Sequence, residues 1–280
     1  MPRPHLPIAM KTALLLTVLP LAVACSMPTH TATRTYEVTL PAAGLQRLAC
    51  DTRNGDVTIV GDAAATTVSV RADLSVRGHT QAEAEANLGL LDVQKDVGAD
   101  AVTLTGLFPA KGLGNCSPAI AFTIRLPARL RVAATTHNGD VRLDGSDGGA
   151  TLTSHNGDVV VAGGSAEVQA TTHNGNVRWQ GAGRRVDLVT HNGDVFAEFA
   201  AAGEVQSTLT SHNGDVDLTF PGAVDAALAA ETSNGGVRLA AKGMTDVVKS
   251  RGGRSATARL GKGGAGQIKA VTHNGDVTAK

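Results

Sequence analysis

Histidine is the residue type whose number and spacing in this sequence could do chemistry. Six of the nine histidines occupy one position of a repeated motif, Thr/Ser-His-Asn-Gly-Asp/Asn-Val: His137, His155, His173, His191, His212 and His273. Imidazole and carboxylate groups bind zinc, copper and nickel, so a column of histidines beside the aspartates of the motif could offer several weak metal sites. The column could also respond to pH, because histidine titrates near pH ~6.5.

The simpler alternative is that histidine is an outward residue beside a turn, copied when the repeat was duplicated. Closed metal sites use ligands that converge on one point, which a flat column does not provide. We therefore favour the structural interpretation and expect micromolar zinc to leave the melting temperature unchanged. A saturable increase, lost when His155 and His173 are replaced by alanine, would contradict it. Calcium is disfavoured because one carboxylate per repeat is few for an ion that takes about six to eight oxygens.

The motif recurs at a fixed interval, which indicates stacked repeats. Its glycines lie 18 residues apart from 139 to 193 and 21 apart from there to 235, and degenerate copies lie at 52–57 and 232–237. The turn residues of the full copies are Asn138, Gly139, Asp140, Asn156, Gly157, Asp158, Asn174, Gly175, Asn192, Gly193, Asp194, Asn213, Gly214, Asp215, Asn274, Gly275 and Asp276.

Apolar and polar residues alternate on both sides of each turn, so each strand has one buried and one wet face. Asn-Gly also favours a two-residue hairpin, but a meander would not need identical residues in the same phase of every period. Stacked parallel coils would, because each residue then lies about 4.7–4.9 Å from its own copy. We predict an all-β protein: a parallel β-solenoid with coils of 18–21 residues over 129–280, with Thr/Ser, Val, Leu and Trp179 inside.

Residues 35–128 are less regular and predict a β-rich N-terminal capping region. Alternating strand signals are broken near 81–91 by helix-forming residues, with Thr80 as the cap. At the other end, Ser250-Arg251-Gly252-Gly253 resembles a decayed coil, and the last motif lies close to Lys280. This predicts an open sheet edge and self-association through the C-terminal coil.

Residues 1–25 predict a signal peptide with a lipobox-like end. Lys11 precedes an apolar run over 13–24, and small residues lead to Cys25, which would be lipidated and anchor the protein to a membrane. An ordinary signal peptide cleaved near Ala24 is the alternative, and Met10 is an alternative start to Met1. Residues 26–34 predict a tether.

Two further cysteines, Cys50 and Cys116, predict one disulfide in an oxidising compartment, with two separately buried thiols as the alternative.

Composition argues against several functions. The 25 basic and 25 acidic residues balance, which argues against nucleic-acid binding. The irregular segments 81–118 and 242–269 hold no convincing acid–base set for a polysaccharide lyase or hydrolase, so we expect neither catalysis nor a cofactor. An ice-binding row of outward threonines is set aside because Val189, Glu231 and Lys249 interrupt it.

The leader, the strand ending at Leu126-Pro127 and the Thr-x-Asn-Gly-Asp-Val turns together resemble the bacterial putative-adhesin domain family over residues 35–280. The resemblance implies an envelope β-solenoid and brings no catalytic residues. We interpret the chain as a non-catalytic, structural or interacting lipoprotein of the cell envelope, anchored to the outer membrane and facing the periplasm or cell surface, with an unidentified envelope or surface partner. The alternative is a periplasmic metal- or pH-responsive binding module that uses the His/Asp ladder.

Overall fold

A computed structural model describes residues 29–280. The predicted signal peptide, the lipidation site at Cys25 and the first residues of the tether lie outside the described residues. No helix within 29–280 is long and apolar enough to cross a membrane.

The N-terminal third contains seven strands and one short helix. Their bounds are β1 His30–Pro41, β2 Arg47–Asn54, β3 Val57–Asp62, β4 Thr67–Gly78, α1 Gln81–Leu88, β5 Asp92–Val97, β6 Ala101–Leu107 and β7 Ser117–Pro127. The predicted helix is confirmed, and the Thr80 side chain accepts a hydrogen bond from the Glu83 N–H (3.2 Å), as an N-cap does. The segment predicted as tether is partly strand, because β1 pairs with β4 from His30 onward.

The rest of the described chain is built of short strands. Their bounds are β8 Arg131–Asn138, β9 Val141–Asp144, β10 Ala150–Asn156, β11 Val159–Ala162, β12 Val168–Asn174, β13 Val177–Gly181, β14 Arg185–Asn192, β15 Val195–Phe199, β16 Gly203–Glu204, β17 Gln206–Asn213, β18 Val216–Thr219, β19 Val224–Asn234, β20 Val237–Leu239, β21 Met244–Lys249, β22 Ser255–Leu260, β23 Gln267–Asn274 and β24 Val277–Ala279.

The predicted parallel β-solenoid is confirmed. Each coil contributes one strand to a 13-stranded sheet and one to an 11-stranded sheet, and the Asn-Gly turn joins the two strands. Equivalent residues of successive coils are paired in parallel: Ser154 lies between Thr136 and Thr172, and Val159 lies between Val141 and Val177. This register keeps the apolar residues of both sheets in one continuous core.

The core is confirmed where alternation placed it. Inward valines, leucines and alanines of every coil are buried, and the motif's Thr or Ser is buried with them. Trp179 is also buried, and its ring packs 5.0 Å from that of Phe199, which stacks on Phe220 at 5.5 Å. Phe199 and Phe220 belong to the two 21-residue coils, and Trp179 belongs to the 18-residue coil before them.

The spatial order of the coils departs from the sequence order at both ends. The coil of β2 and β3 lies between the coil of β6 and β7 and that of β8 and β9. The region predicted only as a cap therefore contributes two coils of the stack. At the other end, β23 lies between β17 and β19, and β24 lies between β18 and β20.

The prediction that the C-terminal coil forms the open end was therefore wrong. That coil is interior, and it pairs in the common register with the coils on both sides. Nor is the segment 250–253 a decayed coil. It turns the chain between β21 and β22, which are antiparallel, and β22 also pairs antiparallel with β19. This hairpin closes one end of the 13-stranded sheet, while β5 closes the other.

The structure does not contain the predicted disulfide: Cys50 and Cys116 are both free and buried. Cys50 points into the core from β2, where its neighbours are Leu104 and Ala134, whereas Cys116 lies against α1, with Sγ 3.3 Å from the Asn87 side-chain nitrogen. Burial raises the pKa of the Cys50 thiol, and the Asp51 carboxylate raises it further. The two thiols are therefore buried separately, as in the alternative to the disulfide.

Candidate functional site

The Asn-Gly turns of successive coils form one straight edge of the stack, where three hydrogen-bond ladders hold them in register. In the first ladder, the buried hydroxyl of the motif donates to the glycine carbonyl of the preceding coil. Ser154 donates to Gly139 (2.8 Å), and Thr172 donates to Gly157 (2.7 Å). The buried hydroxyl of each copy of the motif therefore has a hydrogen-bond acceptor, as buried polar groups in proteins do.

The asparagine and aspartate side chains form the other two ladders. The Asn156 Nδ2 donates to the Asn138 Oδ1 (2.7 Å), and the backbone N–H of Asp158 donates to the Asp140 Oδ1 (2.8 Å). Asn176, which replaces aspartate in one copy, accepts the same bond from Asp194 (2.8 Å). These carboxylates are therefore turned along the stack axis and serve the backbone.

Glycine is required in the turn for two reasons. At Gly157 φ is +152°, a conformation that side-chain-bearing residues rarely adopt. A Cβ there would also lie 2.1 Å from the Gly139 carbonyl oxygen of the neighbouring coil. The repeated glycine thus lets adjacent turns approach closely enough to stack.

The six motif histidines form an unbroken stack of rings on this edge. Successive ring centroids lie 4.5–5.0 Å apart and the ring planes are within 7° of parallel. The stack is unbroken because β23 enters between β17 and β19, which places His273 on His212 at 5.0 Å. In sequence order Ser233 would occupy that place. Arg53 and Ser233 instead lie at the two ends of the column.

Stacking turns the ring faces toward one another, so only the ring edges reach solvent. No imidazole of the column forms a hydrogen bond or an ion pair with another side chain of the described residues. Within residues 29–280, no three His, Cys, Asp or Glu side chains are grouped so that they could hold a metal ion. The predicted metal ligands thus share one column but do not converge.

A long groove runs beside the stack, and we call it the histidine groove. The section beside His155 to His273 has a volume of about 590 Å3, with the histidine edges as one wall. Its floor is the outward column of the 13-stranded sheet, an uncharged row: Thr153, Thr171, Val189, Thr210 and Val271. Val189 is 39% exposed there.

The groove continues past His155 toward the N-terminal end of the stack. This second section has a volume of about 770 Å3 and ends at Arg53 and at the loop that follows β6, where Phe108 and Pro109 form a wall. Asp51 lies on its floor, and partial burial raises the pKa of that carboxyl. The sequence shows the floor residues as outward threonines but gives no signal for the Phe108 wall, because the loop reaches the groove only through the displaced order of the coils.

A model of one family, described as Toastrack DUF4097, matches residues 23–280. The chain belongs to the Toastrack DUF4097 family. The match covers both sheets and the whole histidine groove, so these are parts of one Toastrack domain. No curated protein sequence matches this chain significantly.

The solved structures to which this Toastrack domain is similar match it with low sequence identity and low TM-scores. A crystal structure of a putative adhesin from Bacteroides fragilis NCTC 9343 has 14% identity and a TM-score of 0.38, over 91% of this chain and 99% of the other. One of a putative cell adhesion protein from Clostridium sporogenes ATCC 15579 has 11% identity and a TM-score of 0.37, over 89% and 99%. One of a putative lipid binding protein from Parabacteroides distasonis ATCC 8503 has 8% identity and a TM-score of 0.28, over 89% and 96%.

Proposed function

We propose that this Toastrack protein is a non-catalytic interaction protein of the cell envelope and that it binds its partner along the histidine groove. One observation carries the proposal: five histidines from consecutive coils and His273 from the inserted C-terminal coil form one unbroken row beside an uncharged floor. The threonines and valines of this floor form a contiguous, weakly polar surface of the kind that a partner covers.

The groove offers its partner regularly spaced hydrogen-bonding groups. Each imidazole edge presents a ring nitrogen, and the spacing along the wall is that of the coils, 4.5–5.0 Å. The threonines of the floor add hydroxyls and methyl groups at the same spacing. An extended partner with repeated polar groups would meet the same contacts along the whole groove, and this uniformity supports a non-catalytic role.

A pair of matched variants tests the groove. Val189→Glu puts a charge on the groove floor, while Val160→Glu puts the same charge on the outer face of the other sheet. We expect cosedimentation of the purified domain with envelopes isolated from the source cells to fall at least ~10-fold for Val189→Glu and to stay unchanged for Val160→Glu. Equal loss for both variants, or none for either, would contradict the groove as the binding surface.

We also propose that the protein is exported and anchored by a lipid. The leader supports export and a lipid on Cys25, with the folded domain beginning close behind it at His30. Radiolabelled palmitate should be incorporated into the wild-type protein and lost in Cys25→Ala. Cleavage by added protease on intact cells would place the domain at the surface, whereas cleavage only after permeabilisation would place it in the periplasm.

The second candidate function is a metal- or pH-responsive module that uses the same histidines. The unbroken ring stack is the observation that favours it, because it concentrates six titratable groups in one row. The ring arrangement speaks against metal, since the imidazoles do not converge. The zinc titration with His155→Ala and His173→Ala distinguishes this function from simple partner binding.

A further inference from the structure

The Asn-Gly pair of the motif occurs eight times in the sequence, and this pair is chemically labile. In an Asn-Gly pair the glycine nitrogen can attack the asparagine Cγ, because glycine has no side chain to block the approach and asparagine is a thermolabile residue. The attack requires a free backbone N–H and an amide group that can turn toward it. Both requirements can be checked at each of the eight pairs.

Seven of the eight glycine nitrogens are engaged. Each donates its N–H to the asparagine carbonyl of the next coil in the stack, over 2.8–3.0 Å, and the seven donors are Gly55, Gly139, Gly157, Gly175, Gly193, Gly214 and Gly275. All seven glycines are half-buried between neighbouring turns. The nucleophile is therefore unavailable while the stack is intact.

The amide groups of the same seven asparagines are also held. Each side-chain oxygen accepts a hydrogen bond from the asparagine of the next coil, as Asn156 accepts from Asn174 over 2.7 Å. At the junction formed by the inserted coil, Asn213 accepts from Asn274, and Asn274 accepts from Asn234. Turning any of these amides toward its glycine would break the ladder on both sides.

Asn234-Gly235 is the exception, because it ends the stack. No residue of 29–280 accepts the Gly235 N–H, and none donates to the Asn234 Oδ1. Of the Asn234 side chain only Nδ2 is bonded, and it donates to the Asn274 Oδ1 (2.8 Å). Gly235 is also exposed, whereas the other seven motif glycines are half-buried. The inserted C-terminal coil thus protects the junction it fills and leaves this pair at the end.

We propose that Asn234 is a site of spontaneous deamidation in the folded protein. The Gly235 nitrogen attacks the Asn234 Cγ and loses its proton to water. The Cγ–Nδ2 bond breaks, ammonia leaves, and a succinimide ring forms. Water then adds to either ring carbonyl and opens the ring to aspartate or isoaspartate, so the net change is one water consumed and one ammonia released.

The product changes the end of the stack. An isoaspartate adds a carbon to the backbone between β19 and β20, so β20 can no longer keep its register on β24 at Val237 and Val277. The covered edge of β24 would then become accessible. Modification at Asn234 would therefore expose a strand edge that the intact protein keeps paired.

Peptide mapping by mass spectrometry tests the proposal on the full folded chain, incubated at mildly alkaline pH and physiological temperature. We expect deamidation at Asn234 to exceed that at each of the other seven asparagines at least ~10-fold, because those sites require opening of the stack. In denaturing urea the eight rates should become similar. Asn234→Ser should remove the dominant product, while its circular dichroism spectrum should show that the variant is still folded.

Two results would overturn the proposal. One is similar deamidation at all eight sites while the protein is folded. The other is a preference for Asn234 that persists in urea, since it would then come from the local sequence and not from the end of the stack.

Discussion

At the residue scale, the stack depends on side chains that satisfy backbone groups of the neighbouring coil. The Thr172 hydroxyl, buried at 2% exposure, donates to the Gly157 carbonyl, and the Asp158 carboxylate accepts the Asn176 N–H. The sequence predicts the inward direction of this threonine from alternation. It does not predict the hydrogen bond, because the acceptor belongs to another coil and depends on the parallel register.

Replacing Thr172 with valine should destabilise the protein by about 1–2 kcal/mol, because the shape is kept while the Gly157 carbonyl loses its side-chain donor. Thr171→Val is the matched control, since Thr171 faces outward on the same strand. Urea denaturation followed by circular dichroism measures both. An equal effect of the two changes would show that the buried hydroxyl contributes nothing.

Removing an unsatisfied hydroxyl should have the opposite effect. Ser207 stands between Val186 and Ile268 in an inward ladder, and its buried hydroxyl has no partner in the structure. Ser207→Ala should therefore raise the free energy of unfolding by about 1 kcal/mol. Ser233→Ala, at an exposed serine, should change it little, and a loss of stability in Ser207→Ala would indicate a hydrogen bond that the structure lacks.

At the element scale, surface ion pairs tie the N-terminal strands together. The Asp62 carboxylate at the end of β3 accepts from the Arg125 guanidinium on β7 (2.7 Å) and from the Ala64 N–H (2.8 Å). The side-chain bonds to Arg125 hold the pKa of Asp62 below its usual range, and the bond from Ala64 acts in the same direction. The sequence does not show that Arg125 is a partner of Asp62, because β3 and β7 meet only through the displaced coil order.

This ion pair predicts a pH dependence. Because the pKa of Asp62 is lowered in the folded state, the stabilisation is complete above its unfolded pKa of about 3.9 and is lost as the pH falls through the lower, folded value. Asp62→Asn should therefore melt at a lower temperature than the wild type at neutral pH. The difference should shrink as the melts are repeated at progressively lower pH, and a difference that grows on acidification would contradict this assignment.

At the scale of the whole molecule, the repeat period predicted the coils, their parallel register and the solenoid. It could not predict the order of the coils, because every copy of the motif fits beside every other. Ser211, Thr232 and Thr272 belong to interchangeable turns, and the choice among neighbours is made by the connecting segments. Because the short hairpin of β21 and β22 pairs with β19, the coil of β19 lies at the end of the stack. The interior position is therefore occupied by the coil of β23.

Because the last coil lies inside the stack, its removal should lower the stability of the protein strongly. Ending the chain at Gly266 removes β23 and β24. Each of these strands pairs with a neighbour on both sides, so two strand pairings are lost in each sheet. Loss of the buried Ile268, Ala270 and Val277 should lower the melting temperature by more than about 10 °C. A chain that melts as the intact protein does would show that this coil is dispensable.

Cysteine cross-linking tests most directly the claim that the inserted coil completes the histidine row. In a background with Cys50→Ala and Cys116→Ala, the pair His212→Cys and His273→Cys lies on adjacent strands, where neighbouring Cα atoms are close enough for a disulfide. The pair His212→Cys and Ser233→Cys is two coils apart, roughly 9–10 Å, which is too far. We expect mild oxidation to join the first pair within the monomer and to leave the second pair as free thiols. Rapid bridging of the second pair and none of the first would mean that the coils stack in sequence order, and the unbroken row of six histidines would not exist.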